Sequence, residues 1–275
     1  MNRKLGIIAG GSTIPKMLID RCIETGRDFF VLAIKGDADE DYFTDDIPHE
    51  WIRIGQAGTG FERFKQEKVR DVIMIGTIKR PTLKELVPDL KTAAFFAKVA
   101  TKALGDDGIL RALVRELEAD GMQVKGIHEV MPEMLIKKGN ITKTKPDKQA
   151  LVDVRRGIEV ALEIGRLDIG QSVVVQQGLV LGVEGIEGTD ELIRRCGTYK
   201  RKGDGGVLVK LRKPQQDMRI DLPTIGVKTV ENAIESGLRG IIVHAGNGLI
   251  VDESEAVALA NKHKLFILGI DPEEY

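Results

Sequence analysis

Short unbroken apolar runs alternate along this chain with stretches whose apolar residues return every three or four positions. Residues 4–27, KLGIIAGGSTIPKMLIDRCIETGR, predict an apolar strand, a glycine turn, and a helix with Met17, Leu18, Arg21 and Cys22 in helical spacing, stopped at Gly26. FFVLAIKG predicts a second buried strand, EWIRIG a short third, GFERFKQEKVR a helix and DVIMIGT a further strand. Strands alternating with helices imply a parallel sheet with crossover connections. LKELVPDLKTAAFFAKVATKALG and DDGILRALVRELEADG follow as helical stretches broken at Pro88 and Gly105, and MQVKGIHEV is expected to close this half as a strand.

The rhythm fails from 131 to 147, MPEMLIKKGNITKTKPD, which is rich in Lys, Thr and Gly and reads as a connection. DKQALVDVRRGIEVALEIGRLD then predicts a long helix. QSVVVQQGLVLGVEG predicts an antiparallel hairpin turning at Gln177-Gly178, and TDELIRRCG a short helix capped by Thr189 or Asp190. GGVLV reads as strand interior. From Asp217 the pattern alternates, with Met218, Ile220 and Leu222 on one face and Asp217, Arg219 and Asp221 on the other, which predicts another strand. TVENAIESG predicts a helix with Thr229 as N-cap and Gly237 as its stop; GIIVHAG, GLIVD, SEAVALANKHK and LFILGI complete the chain. The expected architecture is α/β in two domains: a Rossmann-like parallel sheet over 1–130, a linker over 131–147, and a mixed α/β domain over 148–275. A cleft between such domains is a common place for a small-molecule site.

Composition narrows the function. The 275 residues are 42% hydrophobic and 30% charged with a formal net charge of -1, which lacks the basic excess of a nucleic-acid binder. Cys22 and Cys196 lie in predicted helices without a histidine cluster, so neither a zinc site nor a disulfide framework is expected, and a reducing cytoplasm fits. No apolar run approaches a spanning length or a signal-peptide core.

Candidate chemistry gathers in several places. Gly10-Gly11-Ser12-Thr13 follows the first strand and opens a helix, where glycines let main-chain N–H groups approach a phosphate; a plain tight turn explains it equally well. The G-x-G-x-x-G fingerprint of dinucleotide sites is missing, and Lys35 and Gly36 stand where an acid would end the second strand. Gly76-Thr77-Ile78-Lys79-Arg80 follows another parallel strand, and Lys79 and Arg80 there could hold a diphosphate or form a solvated basic turn. Asp106 and Asp107 read first as helix caps, and His128 with Glu129 as the end of a strand. GVEGIEGTD, with Glu184, Glu187, Thr189 and Asp190, could cap a helix or hold a sugar hydroxyl or a magnesium-bound water. In KLRKPQQDMRIDLPTIG, Lys210, Lys213 and Arg219 supply positive charge, with Arg219, between Asp217 and Asp221, expected as an anion clamp. Asp217 and Asp221 would stand about 13 Å apart in an extended strand at roughly 3.3 Å per residue, too far to share one metal ion. Asp221, next to the Pro223 turn, is the better candidate carboxylate. Phe95, Phe96 and Val99 among Lys91, Lys98 and Lys102 form a stripe that could rest on an anionic membrane or on acyl chains, with packing on the sheet as the plainer reading.

The stretches IAGGSTIP, GTIKRP, GDDGILR, HEVMPEM, EIGRLDIGQ, EGIEGTDELIRR, KPQQDMRIDLPTIGVKTV and LGIDP together resemble the LpxI-type UDP-2,3-diacylglucosamine diphosphatases of lipid A biosynthesis, across nearly the whole chain. The chain departs from the family pattern at Ser12, usually glycine, and at Thr77, usually asparagine. The resemblance implies a two-domain, magnesium-dependent hydrolase (another divalent cation being an option) that releases UMP and 2,3-diacylglucosamine 1-phosphate. It implies Asp221 as the essential carboxylate. The expected substrate-binding set is Gly10, Gly11, Ser12, Gly76, Thr77, Lys79, Arg80, Gln177, Glu187, Thr189, Lys210, Lys213, Arg219 and Thr224, with the metal ligands unassigned. The expected partners are the lipid-linked nucleotide sugar and, transiently, the inner-membrane surface from the cytoplasmic side, with no nucleic acid; a homodimer is left open. A non-catalytic nucleotide-sugar sensor and a nucleotide-dependent oxidoreductase are the competing classes.

Overall fold

In the computed structural model, which describes residues 3–78, 89, 92–93 and 106–275, the chain forms two compact units. One comprises Met1–Pro132 with Asp217–Asp221, the other Glu133–Gln216 with Leu222–Tyr275.

The first unit holds five parallel strands: β1 (Leu5–Ala9), β2 (Phe29–Ile34), β3 (His49–Ile52), β4 (Asp71–Ile75) and β5 (Gln123–Val124). Their order is β3-β2-β1-β4-β5. The chain winds outward from β1 in one direction, then returns to β4 on its other side, so the sheet has a topological switch point between β1 and β4. Helix α1 (Ile14–Thr25) follows β1 and ends at Gly26 in the left-handed conformation, as its sequence predicts. Phe61 and Phe64 of α2 (Ala57–Gln66) and Val114 and Leu117 of α3 (Asp106–Ala119) pack with Leu32, Val72 and Met74 in one buried cluster. Asp106 opens α3 from within the helix rather than preceding it. The strand expected over MQVKGIHEV stops at Val124, and Ile127–Glu129 is a 3-10 turn whose Gly126 N–H donates to Glu129 Oε1 at 2.9 Å.

The second unit is a mixed six-stranded sheet in the order β6-β13-β11-β9-β7-β8. Its strands are β6 (Gly139–Asn140), β7 (Ser172–Gln176), β8 (Leu179–Val183), β9 (Val207–Lys210), β11 (Gly240–His244) and β13 (Phe266–Ile270). A parallel pair, β10 (Thr224–Ile225) with β12 (Leu249–Ile250), stands beside it. Strands β9, β11 and β13 are parallel to one another, whereas β6 and β7 run against them. Strand alternation sorts the core. Val173, Val175, Val207, Val209 and Ile242 cluster with Val154, Ile158 and Ala161 of α4 (Lys148–Arg166). Val174, Leu208, Ile241 and Val243 face a cluster drawn from α5 (Thr189–Gly197), α6 (Val227–Glu235) and α7 (Glu253–Lys262).

The hairpin forms where the sequence predicts it, with Gln177 at φ 55° and Gly178 at φ 76°, the two positive angles of a type I′ turn. Within 131–147, β6 pairs with β13 and Leu135 bridges Leu249, so this aperiodic segment joins the second unit's pairing. Two caps move: α5 starts after Gly188 and α6 after Gly226, so neither Thr189, Asp190 nor Thr229 is an N-cap. The strand expected at Asp217–Leu222 does not form. Asp217 Oδ1 accepts from the Arg219 N–H at 2.9 Å and Asp217 O from the Ile220 N–H at 3.1 Å, folding the segment into a turn. A local side-chain acceptor here competes successfully with a ladder.

Candidate functional site

At the switch point of the first sheet, the turns after β1 and β4 interlock through main-chain atoms. Gly11 N–H donates to Thr77 O at 2.8 Å, Thr77 N–H to Gly11 O at 2.9 Å, and Gly10 N–H to Ile75 O at 2.9 Å. A Cβ on Gly10 would lie 2.5 Å from Thr77 O, and one on Gly76, at φ 96°, would lie 2.5 Å from Gly11 O. Glycine is therefore required at both positions, because the turns touch backbone to backbone at the edge where doubly wound sheets take their ligands. Gly10, Gly11, Ser12, Gly76 and Thr77 thus come together; Lys79 and Arg80 lie outside the described residues, as do Lys91, Phe95, Phe96, Lys98, Val99 and Lys102.

The Asp217–Asp221 turn belongs to the same unit. Arg219 grips Asp217 with Nε at 3.0 Å and Nη2 at 2.6 Å, and reaches Glu118 Oε1 with Nη1 at 2.8 Å. This guanidinium holds the Asp217 carboxyl below the usual range, and the two carboxylates raise the Arg219 pKa. The side chain expected as an anion clamp is thus committed to two internal carboxylates and shapes the turn. Asp221 stands exposed at the end of that turn.

In the second unit the polar residues gather at the carboxyl ends of the parallel strands. Lys210 ends β9, in register with Ser172 of β7 and Val243 of β11. It is only 8% exposed, and its Nζ donates to Thr189 Oγ1 and to Thr224 O, each at 3.0 Å. Thr189 Oγ1 donates to Glu184 Oε1 at 2.8 Å and lies 3.2 Å from Ser172 Oγ. Glu184 Oε2 accepts from Gln171 N–H at 3.0 Å. Lys210, Thr189 and Thr224 are therefore one cluster, joined by Glu184.

Other expected members are placed differently. Lys213 Nζ donates to Asp168 Oδ1 at 2.7 Å. Arg195 holds Glu187 through Nε at 3.1 Å and Nη2 at 2.7 Å and, with main-chain donors, keeps its carboxyl below the usual range. Gln177 sits at the hairpin turn, one residue past the far end of β7 from Ser172, roughly 16 Å along the strand at about 3.3 Å per residue. Its amide bonds to Lys202 O and to Arg201 Nε, so it does not join the Lys210 cluster.

Sequence reasoning passed over two residues at that edge. His244 ends β11, and Arg212 lies two positions beyond β9, donating through Nη1 to Gln216 O at 2.8 Å. Arg212 Nε and His244 Nδ1 are buried without a hydrogen-bond partner. Burial, then the Arg212 charge, push the His244 pKa down, with Asp271 opposing. The available signal was position: both stand at or just past the carboxyl end of a predicted parallel strand. Among the described residues, no three of His, Cys, Asp and Glu stand close enough to hold a metal ion.

These features define a two-unit α/β protein whose polar groups concentrate at the carboxyl ends of its parallel strands. Residues 4–134 match the LpxI N-terminal domain and residues 137–268 the LpxI C-terminal domain. The chain belongs to the LpxI family. It is 40% identical over 279 aligned positions to the UDP-2,3-diacylglucosamine pyrophosphatase LpxI of Caulobacter vibrioides, covering 99% of each chain. A solved UDP-glucose 4-epimerase from Thermus thermophilus, in complex with NAD, aligns over 53% of this chain and 41% of its own at 12% identity, with a TM-score of 0.31.

Proposed function

We infer that this protein hydrolyses the pyrophosphate bond of UDP-2,3-diacylglucosamine, releasing UMP and 2,3-diacylglucosamine 1-phosphate for lipid A biosynthesis. The observation that carries the reading is 40% identity to a named pyrophosphatase across 99% of both chains. The chemistry of the residues supports it. Breaking a phosphoric anhydride requires donors around the phosphoryl oxygens and a carboxylate to orient or deprotonate water. The Lys210 ammonium of the second unit is the proposed donor, and Asp221, exposed on its turn, is the proposed carboxylate. Magnesium or another divalent cation is proposed as counter-ion to the diphosphate. The enzyme meets its lipid substrate at the cytoplasmic face of the inner membrane without spanning it; among the described residues no helix is long and apolar enough to cross a membrane.

The test is direct. Purified protein mixed with UDP-2,3-diacylglucosamine and magnesium is expected to release UMP, detected by phosphorus NMR or chromatography. Asp221→Ala is expected to lose at least a thousandfold in kcat while still binding substrate, because a group acting on the attacking water matters more in the transition state than in the ground state. Absence of UMP from the parent protein overturns the reaction; activity of Asp221→Ala within tenfold of the parent overturns the assignment of the carboxylate.

A further inference from the structure

Lys210 is the one lysine among the buried residues of the described chain. Burying an ammonium is costly, and proteins usually offset the cost with a carboxylate in direct contact. Among the described residues Lys210 has none: its two partners there are a hydroxyl and a backbone carbonyl, both neutral. The compensating charge sits one group away, on Glu184, which touches Thr189 and not the lysine.

The hydroxyl between them is fully committed. A threonine hydroxyl has one hydrogen and two lone pairs. The hydrogen goes to Glu184 Oε1, so the lone pairs take Lys210 Nζ–H and the Ser172 hydroxyl. Glu184 is itself fixed, since Oε2 accepts the Gln171 N–H. Together with the Thr224 carbonyl, this chain of bonds directs two of the three N–H groups of Lys210 and leaves the third without an acceptor among the described residues. A neutral side chain could cross-link β9, α5 and β10 equally well. A buried charge that is oriented but not neutralised is instead the arrangement that stabilises an anion with little reorganisation.

We propose that Glu184 is a positioning residue: acting through Thr189, it aims the third N–H of Lys210 at an anionic phosphoryl oxygen of the substrate. The proposal rests on the hydrolytic reading for its substrate, but its binding component stands separately, on diphosphate recognition.

The experiment measures UDP affinity by calorimetry, kcat and KM for the diacylated substrate, and thermal midpoints, on one set of variants. Lys210→Met keeps length and removes charge; Thr189→Val removes the hydroxyl and Thr189→Ser keeps it. In Glu184→Gln the amide can satisfy either Thr189 or Gln171, but not both. Lys210→Met, Thr189→Val and Glu184→Gln are each expected to weaken UDP binding and lower kcat/KM on the order of ten- to hundredfold. The thermal midpoint of Lys210→Met should be unchanged or higher, because removing a buried charge relieves its desolvation. Thr189→Ser should recover to within about threefold of the parent, since the hydroxyl is the group that matters. The double variant Glu184→Gln with Thr189→Val should lose no more than the weaker-binding single variant, because the glutamate acts only through the threonine. Additive losses in the double variant, unchanged UDP affinity in Lys210→Met, or a fall in melting temperature that accounts for every loss would each overturn the proposal. A protein that binds UDP with this dependence on Lys210 but releases no UMP would refute hydrolysis and leave the anion anchor in place.

Discussion

His244 shows how one side chain couples the second unit to pH. Its imidazole ends β11 partly buried, near the positive Arg212, and both effects disfavour its protonation. The native state therefore binds fewer protons than the unfolded chain wherever pH lies between the lowered folded value and the ordinary value near 6.5. Stability rises with pH across that window, so it is lost as pH falls through 6.5 and levels off below the folded value. Urea midpoints measured from pH 8 down to pH 5.5 should decline for the parent and decline less for His244→Gln. Equal slopes would show that another group carries the dependence. Arg219 teaches the complementary lesson. Its sequence neighbours suggested an anion clamp, but Asp217 and Glu118 already occupy its fork. A partner 101 residues away, Glu118, cannot be seen in local spacing.

At the scale of elements, the hairpin between β7 and β8 depends on one buried carboxylate in another element. Asp153, 2% exposed on α4, accepts the Gln177 N–H at 3.1 Å and the Gly178 N–H at 2.6 Å. Asp153→Ala would leave both turn donors unpaired and is expected to lower stability by about 2–4 kcal/mol. Hydrolysis should persist in the folded fraction, because the turn lies at the opposite end of β7 from the Lys210 cluster. A urea-determined loss below about 1 kcal/mol would mean that water replaces the carboxylate at little cost. The hairpin was legible because Gln177-Gly178 separates two apolar runs, and the long strands were legible because both their faces are buried. Asp217–Leu222 was misread because alternation over six residues cannot distinguish a strand from a turn that Asp217 closes on Arg219. The glycine turns were recognised, but not that they interlock, since Gly11 and Thr77 are 66 positions apart. The Lys210 cluster joins three stretches of the chain: Glu184–Thr189 and Lys210–Thr224 each lie within one motif, but the contacts that join them, Lys210 to Thr189 and Thr189 to Ser172, run between separate motifs.

The whole molecule divides unevenly along its sequence. The first unit borrows Asp217–Asp221 from a stretch otherwise folded into the second. Ile220 packs against the first unit's cluster of Leu32, Phe64, Val114 and Leu117, and Arg219 pairs with Glu118 on α3. Ile220→Ala is expected to destabilise the first unit by about 1–2 kcal/mol, below the loss for a fully buried isoleucine because the side chain is only half-buried. Amide hydrogen exchange localises the effect: Ile7 and Ile73 should exchange faster in the variant, and Val209 and Ile242 should be unaltered. Uniform acceleration would mean that the two units unfold as one.

That borrowed turn also has a consequence in time. A protein leaves the ribosome from its N-terminus, and early domains ordinarily fold while later ones are still being made. Here the first 132 residues cannot complete their core until residue 221 has emerged. At about 5–20 residues per second, that delay is several seconds to roughly twenty. During it, the apolar surface against which Ile220 packs is uncovered on a nascent chain, a place where a chaperone that recognises exposed apolar surface would act.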